Sequence, residues 1–580
     1  MLLRPKDRKR GHFSRIIFLG TLFFILWILI ILRLAQLQII DYKKYTNIAK
    51  DQRIFEKEED AERGKIFVEE NKQKIPVAFN IYSYTLYAVP QNISNPEETA
   101  VKIAQSLEIP INSESNEFKD ILDRISKKND WYEILKKDLS QVEVDRIKKY
   151  SIEGIDFEEE TKRFYPEENY FSHILGFCGY NENGREGRYG LEEYYDNILS
   201  GKGGMVVGEK TPGEIVIPTG ENVIKEAKMG SDIILTIDRT IQTKTCEILE
   251  EAVKEYEASR GTIIVVEPKT GGILALCNWP NFNPNEYSKV KNINIYSNDA
   301  ESLQYEPGSI FKVITFAAGL EDGKITPETP FEDKGAVKIG GYTIKNAGEK
   351  TYGKTTMRGV LEKSIKTGAV FVAKEVGLDR FNYWVKNFGF GQKTEIDLPG
   401  EIKGNLSNLG KKSEIYLATA SFGQGIAVTP IQMVMSFAAI ANGGKLMKPY
   451  LVKEIISGER SFKNDPEETR QVISLSTAET LKDLMISAVE NGWGKRAAVK
   501  GYLVAGKTGT AEIPKGGGYS ENSVHSFIGF APADKPKFVA LVKLDNPALV
   551  KFSDQTATPT FGKLADFLLK YYQIPPTEIE

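Results

Sequence analysis

Between Ile16 and Leu32 the chain runs IIFLGTLFFILWILIIL without a charge, and LAQLQII extends the apolar character past Arg33 to Ile40. About 20 apolar residues span a bilayer core, and the long Arg33 side chain can snorkel to the interface. The pattern predicts a membrane helix over 16–40. A cleaved signal peptide would carry a shorter apolar run and a small-residue cleavage site, and neither is evident. DYKKYTNIAKDQRIFEKEEDAE then reads as a charged stalk, with the acidic run Glu56-Lys57-Glu58-Glu59-Asp60 as a solvated surface. From Glu62 to Pro90 apolar and polar positions alternate with β-branched and aromatic enrichment, the mark of strands and hairpins. At Asn95 the period changes. Asn95-Pro96-Glu97-Glu98 combines a cap residue, a first-turn proline and acids facing the helix dipole, and Val101, Ala104 and Leu107 follow at helical spacing. A helical insert is expected over about 95–155. Residues 160–230, rich in Gly and aromatics, read as strands and turns returning to the first β unit.

A new unit begins near Gly230. SDIILTIDRTIQ is a strand running into a helix, and GTIIVVEPKTGGILALCNWPNF is a hairpin turning at Thr270-Gly271-Gly272, with the glycines such loops require. SIFKVITFAAGLEDG and TPIQMVMSFAAIANGG read as helices. Strands return in KGYLVAGKTGTAEI, HSFIGFAPAD and KFVALVKLDNP. Strands flanking a block of helices predict a multidomain α+β chain with an antiparallel sheet. The expected divisions are a tail at 1–15, a membrane helix at 16–40, a β-rich pedestal with its insert at 41–229, and a catalytic domain at 230–580.

Charge sharpens the picture at one place. Arg4, Lys6, Arg8, Lys9, Arg10 and Arg15 oppose only Asp7, a local charge of +5, which leaves −8 on the rest of a 580-residue chain whose net charge is −3. The basic flank is expected on the cytoplasmic side, placing about 540 residues outside the cytoplasm, where ATP is not available. A near-neutral total argues against a dedicated nucleic-acid binder. Three cysteines (Cys178, Cys246, Cys277) and three histidines (His12, His173, His525) do not cluster, so no Cys/His zinc site is expected. The cysteines allow at most one disulfide and a free thiol; Cys246 and Cys277 read as small core residues.

Two short patterns carry possible chemistry. In Ser309-Ile310-Phe311-Lys312, behind the turn Glu306-Pro307-Gly308, residues three apart share a helix face. The Lys312 amine can then accept the Ser309 proton, provided that burial or nearby cations depress its pKa. A second match, Ser288-Lys289-Val290-Lys291, lies in a polar stretch with no apolar helix behind it and reads as surface. Lys507-Thr508-Gly509-Thr510 follows a strand; its hydroxyls and lysine suit a carboxylate, and its N–H groups suit an oxyanion. Gly501–Thr508 also matches the phosphate-loop pattern G-x-x-x-x-G-K-[ST], and Phe538–Asp545 resembles the strand that ends in the Mg²⁺-linked Asp of an ATPase. The apolar middle of that loop, the following GTAEIPKGGGY and the compartment argue against phosphate binding. His525 reads as a loop or strand-edge histidine rather than a general base.

Together these segments resemble the class B penicillin-binding proteins, the peptidoglycan D,D-transpeptidases. The resemblance is carried, in order, by Arg63-Gly64-Lys65-Ile66, Arg163-Phe164-Tyr165-Pro166, Gly190-Leu191-Glu192, Leu235-Thr236-Ile237-Asp238, Pro280–Asn285 and Tyr305–Lys312. It continues through Phe422-Gly423-Gln424-Gly425 with Thr429-Pro430 to Lys507–Thr510. YEPGSIFK and SFGQGIAVTP look more like the division, septal type than the elongation type, and nothing resembles the glycosyltransferase domain of the bifunctional class. The resemblance implies a serine β-lactamase-like transpeptidase fold, Ser309 as nucleophile, Lys312 as base, and the N–H groups of Ser309 and Thr510 as oxyanion hole. It implies Lys507, Thr508, Gly509 and Thr510 as substrate-binding, β-lactams as covalent inhibitors, a membrane glycosyltransferase and division proteins as partners, and no cofactor.

One motif departs from the family pattern. Its middle element, Ser-x-Asn, has its match at Ser364-Ile365-Lys366, with Ser364 as proton relay. Asn offers a donor and an acceptor, whereas Lys offers donors only. Three readings of Lys366 stand: a donor to bound substrate, a solvent-facing residue, or a mark of impaired catalysis. A β-lactamase or carboxypeptidase is the alternative enzyme, disfavoured by the pedestal and by the lack of a Glu-x-x-Leu-Asn segment. A division scaffold with a weakened site is the non-enzymatic alternative.

Overall fold

The computed structural model describes residues 8–59, 61–70, 73–111, 115–182, 184–209, 223–411, 413–516 and 518–576. The first seven residues of the basic tail, Asp60 of the acidic run, and 210–222 of the Gly-rich stretch lie outside the described residues. The chain divides into two compact units: Met1–Glu62 with Gly201–Met229, and Arg63–Ser200 with Gly230–Glu580.

In the first unit, helix α1 (Arg8–Ala35) passes into a π-helical turn at Gln36–Ile40. The 28 residues Phe13–Ile40 are long and apolar enough to cross a membrane. At 1.5 Å per residue they reach about 42 Å. The stretch expected to be a bare charged stalk instead forms a helix, Tyr42–Arg53, and a strand, Ile54–Glu59. That strand pairs antiparallel with Gly204–Glu209, so its backbone groups are satisfied by a partner about 150 residues away, which local polarity does not reveal.

The second unit contains a seven-stranded sheet. Its order is Arg460–Lys463, Val452–Ser457, Asp232–Leu235, Ile66–Glu70, Gln73–Ala88 and Glu133–Leu139, with Ile155–Phe164 also paired to Gln73–Ala88. Asp232–Leu235 runs parallel to Ile66–Glu70, so segments on both sides of residue 230 share one sheet. The expected helical insert holds helices Pro96–Ser106, Asn116–Ile125 and Gln141–Lys148. Asn95 caps the first, its side chain accepting from Glu98 N at 3.3 Å. The insert also holds the strand Glu133–Leu139, where helix was expected; its pairing with Gln73–Ala88 overrides the local pattern, as tertiary context commonly does. GREGRYGLEEYYDNILS contributes short helices at Gly190–Tyr194 and Asp196–Leu199 as well as a strand.

Four of the family-like segments meet here. Glu192 is fully buried and takes Arg63 Nε at 2.6 Å and Arg163 Nε at 2.7 Å. The Tyr165 hydroxyl lies 3.2 Å from Glu192 and accepts from Cys178 N at 2.8 Å. Asn285 bonds both backbone groups of Tyr165, at 3.0 and 2.8 Å.

The remaining core is a five-stranded antiparallel sheet built from β1 (Arg260–Val266), β2 (Ile273–Trp279), β3 (Ala505–Lys515), β4 (Gly518–Ala531) and β5 (Phe538–Asp545). Their spatial order is β2-β1-β5-β4-β3. Alternate residues feed two cores. Ile263, Val265 and Phe527 meet helices α2 (Arg239–Glu255) and α3 (Ala557–Tyr571). Ile264, Val266 and Ile528 meet the helices α4 (Lys312–Glu321) and α5 (Pro430–Ala441). Covering both faces explains why these strands read as continuous apolar runs rather than alternations. Cys246 of α2 and Cys277 of β2 are joined in a disulfide with Cα atoms 5.4 Å apart. They are therefore a covalent tie of helix to sheet and not merely small core residues; Cys178 is a free buried thiol.

Candidate active site

Tyr305 pairs with Val428 through two backbone bonds of 2.9 Å. From there Glu306-Pro307 leads into a 3-10 turn, Gly308–Phe311, and Lys312 opens α4. The single α-helix expected across Ser309–Lys312 thus begins as a tighter turn, in which side chains three apart eclipse; Ser309 and Lys312 still share a face. Ser309 is half-buried.

Glycines let three segments press together here. Gly308 adopts φ +60° and donates to Gly423 O at 3.0 Å. A Cβ on Gly423 would lie 2.3 Å from Gly308 O, and one on Gly509 would lie 2.5 Å from Ser526 Oγ and 2.9 Å from Ile310 Cγ2. The strand that carries Lys507 therefore lies directly against the Ser309 turn because Gly509 has no side chain.

Lys312 is wholly buried. Its Nζ donates to the Ser364 carbonyl, and to Ser364 Oγ at 3.1 Å. Lys507, also buried, approaches from β3: its Nζ lies 3.0 Å from the same hydroxyl and 3.1 Å from Thr508 Oγ1. Ser364 sits in the turn between helix Met357–Glu362 and helix α6 (Lys366–Val376) at φ +54°. Left-handed backbone costs a non-glycine residue about 1–3 kcal/mol and persists only where its surroundings hold it. Burial, then the neighbouring Lys507 and Lys366 cations, pushes the Lys312 pKa well below its ordinary value. Burial holds Lys507 down to about 7. A depressed pKa is what a lysine needs to act as a general base.

Lys366 does not point into solvent. Its Nζ lies 5.4 Å over the Phe422 ring. Burial lowers its pKa, and the Glu512 carboxylate works in the opposite direction. The Lys366 cation helps to lower the pKa of Lys312, whereas for Lys507 burial is the cause. The Thr510 hydroxyl is occupied on its far side, bonding Ser553 Oγ and Ser553 N at 3.1 Å each.

The other sequence candidates separate from this cluster. Ser288 is exposed and Lys289 pairs with Glu286 at 2.8 Å. Lys507 lies inside a strand that continues to Lys515, so Gly501–Thr508 forms no phosphate cradle leading into a helix. His525 stands mid-strand in β4, wholly buried, not in a loop or at a sheet edge. Its ring nitrogens meet Thr556 Oγ1 at 2.9 Å and Ser523 Oγ at 3.0 Å, and burial lowers its pKa to about 4. Sequence reasoning missed Ser553, Glu512, and the pair Asp333–Asn346 behind Ser364, none of which lies in a recognisable motif.

Comparison with known proteins accounts for nearly the whole chain. The family described as penicillin binding protein transpeptidase domain matches residues 261–566, and the penicillin-binding protein dimerisation domain matches 58–235. Stage V sporulation protein D of Bacillus subtilis is 34% identical over 569 residues, 95% of this chain and 84% of that protein. A probable peptidoglycan D,D-transpeptidase, PenA of Neisseria meningitidis, is 30% identical, covering 87% of this chain and 84% of that one. Among solved structures, penicillin binding protein 2X from Streptococcus thermophilus superposes with a TM-score of 0.75 at 22% identity, over 90% of this chain and 80% of that one. Penicillin binding protein 3 from Mycobacterium tuberculosis, complexed with aztreonam, superposes at 0.67 with 25% identity, over 90% and 100%.

Proposed function

The chain belongs to the class B penicillin-binding proteins, peptidoglycan D,D-transpeptidases with a dimerisation and a transpeptidase domain, and we propose that Ser309 is the nucleophile of its acyl transfer. The observation that carries this reading is the convergence of two buried lysines on one hydroxyl: Lys312 and Lys507 both donate to Ser364 Oγ, at 3.1 and 3.0 Å, beside the Ser309 turn.

Ser309 Oγ attacks the carbonyl between the two terminal D-alanines of a stem peptide as neutral Lys312 takes its proton. The N–H groups of Ser309 and Thr510 hold the oxyanion. The C–N bond breaks, and the departing D-Ala amine receives a proton passed through Ser364, which connects the two lysines. An acceptor amine from a neighbouring stem peptide then attacks the ester, its proton returns through the same groups, and Ser309 is regenerated. Lys507, Thr508 and Thr510 position the substrate terminus. Lys366, held over Phe422 at the edge of the cluster, donates to a substrate carbonyl in place of the amide found in the family.

A β-lactam imitates the D-Ala-D-Ala end and acylates the same serine. The apolar helix anchors the protein in the cytoplasmic membrane, with the basic tail inside and the catalytic domain outside. Septal peptidoglycan synthesis with a membrane glycosyltransferase is the cellular role this reading supports. Intact-mass spectrometry after incubation with benzylpenicillin tests it. A stable adduct lost in Ser309→Ala is expected; rapid turnover of the drug would indicate a β-lactamase, and no adduct with any β-lactam would support a scaffold.

A further inference from the structure

The turn that carries Ser364 is anchored from behind by groups no motif identifies. Helix α6 begins at Lys366, and Ile365 before it has no side chain able to cap the helix. The first N–H groups of a helix need partners. Here Lys366 N and Thr367 N both donate to Asn346 Oδ1, at 3.0 and 3.2 Å. Asn346 is itself fixed, its Nδ2 donating to Asp333 Oδ1 and Oδ2 at 3.0 and 2.9 Å and to Lys350 O at 3.1 Å.

Asp333 also accepts the Thr367 hydroxyl at 2.6 Å, Tyr352 N at 2.8 Å and Gly335 N at 3.0 Å. Asp333 and Asn346 are 1% and 4% exposed, and among the described residues no cation pairs with the carboxylate. Burial alone would raise the Asp333 pKa; the Thr367 hydroxyl, the two N–H groups and the Asn346 amide outweigh it and leave it lowered. A buried carboxylate without a cation persists only when its lone pairs are fully engaged. Asp333 meets that condition by gripping both the Asn346 cap and the first turn of α6.

We propose that Asp333, Asn346 and Thr367 are positioning residues for the transpeptidase reaction, holding the start of α6 so that the Ser364 carbonyl and hydroxyl meet Lys312 and Lys507. This rests on the acyl-transfer reading above. Ser364 holds its left-handed backbone two residues before α6, and Lys312 bonds the carbonyl of that residue. Release of the cap therefore shifts the acceptor of the general base as well as the relay hydroxyl. Lys312 faces Lys507 from β3, Lys366 from α6 and the Ser364 turn. Of these, the Ser364 carbonyl favours the protonated amine, so its withdrawal moves the onset of acylation to lower pH while slowing the reaction.

The test is the second-order acylation rate of the full-length chain in detergent by a fluorescent penicillin, followed against pH, with thermal unfolding in parallel. Small displacements of catalytic groups cost up to about 100-fold. Asn346→Ala is expected to slow acylation about 10-fold or more, with its acid limb displaced to lower pH. Thr367→Val, a milder change that keeps the Asn346 cap, is expected to slow it about 3-fold and move the limb in the same sense, and Thr367→Ser, which keeps the hydroxyl, to restore both. Should Asn346→Ala not fold, the Thr367 pair decides. Unchanged rate and limb in Thr367→Val overturn the proposal. So does slower acylation with an unmoved limb, which would make the network a stability element only. A penicillin adduct persisting in Ser309→Ala would instead overturn the nucleophile assignment.

Discussion

At the scale of the residue, the site is set by desolvation. Lys312 and Lys507 meet at one hydroxyl with Lys366 nearby in the chain, and burial disfavours the charged form of all three. Acylation should therefore depend on pH as a base-catalysed step: slow while Lys312 is protonated, rising through its depressed pKa, and level above it. A rate profile that rises only near 10, where an unperturbed lysine titrates, would contradict this. Lys507 gives a separate signature in stability. Its pKa is 10.5 in an unfolded reference and about 7 here, so between those values the unfolded chain binds more protons than the folded one. Stability must then rise with pH across that window. Lys507→Met is expected to flatten the slope of unfolding midpoint against pH between 7 and 10, and an equal slope in the variant would refute the assignment. The Ser309–Lys312 and Lys507–Thr510 motifs were legible in sequence because each lies within four residues. Asp333 and Asn346 were not, since the groups they hold at the start of α6 lie 20 to 34 residues away.

At the scale of the element, close approach matters more than propensity. β3 lies against the Ser309 turn only because Gly509 has no Cβ. Gly509→Ala would place a carbon 2.9 Å from Ile310 Cγ2 and 2.5 Å from Ser526 Oγ, an overpacking that costs about 1–3 kcal/mol. The expected result is a lowered unfolding midpoint together with a loss of acylation larger than the stability change explains, because strand and turn must separate. Wild-type acylation in this variant would show that the approach is not needed. The strands and helices of the catalytic core were largely readable from apolar runs and turn residues. Glu133–Leu139 and Ile54–Glu59 were not, because pairing with distant strands, rather than local composition, makes them β structure.

At the scale of the whole molecule, distant segments are joined by a few buried polar groups. Arg63, Arg163 and Glu192 are separated by up to 129 residues and meet with almost no solvent access. Removing one member of such a cluster leaves uncompensated charge, at about 3–5 kcal/mol. Glu192→Ala is accordingly expected to lower the unfolding free energy by that order, read as a lower urea midpoint of the full-length chain, and an unchanged midpoint would show the cluster to be dispensable. The seven-stranded sheet is a second tie within the same unit, since Asp232–Leu235 pairs with Ile66–Glu70 on one side and Val452–Ser457 on the other.

The sequence by itself determined the apolar N-terminal helix, the α+β class, the order of the motifs and the spacing of Ser309 and Lys312. Each depends on composition, periodicity or spacing within a few residues, where chain geometry leaves little freedom. Only the tertiary structure decided that Lys507 and Lys312 share Ser364, that Lys366 lies over Phe422, that Cys246 is bonded to Cys277, and that Asn346 caps α6. These are contacts between groups far apart along the chain. Packing sets them through burial and hydrogen-bond satisfaction, which no local pattern encodes.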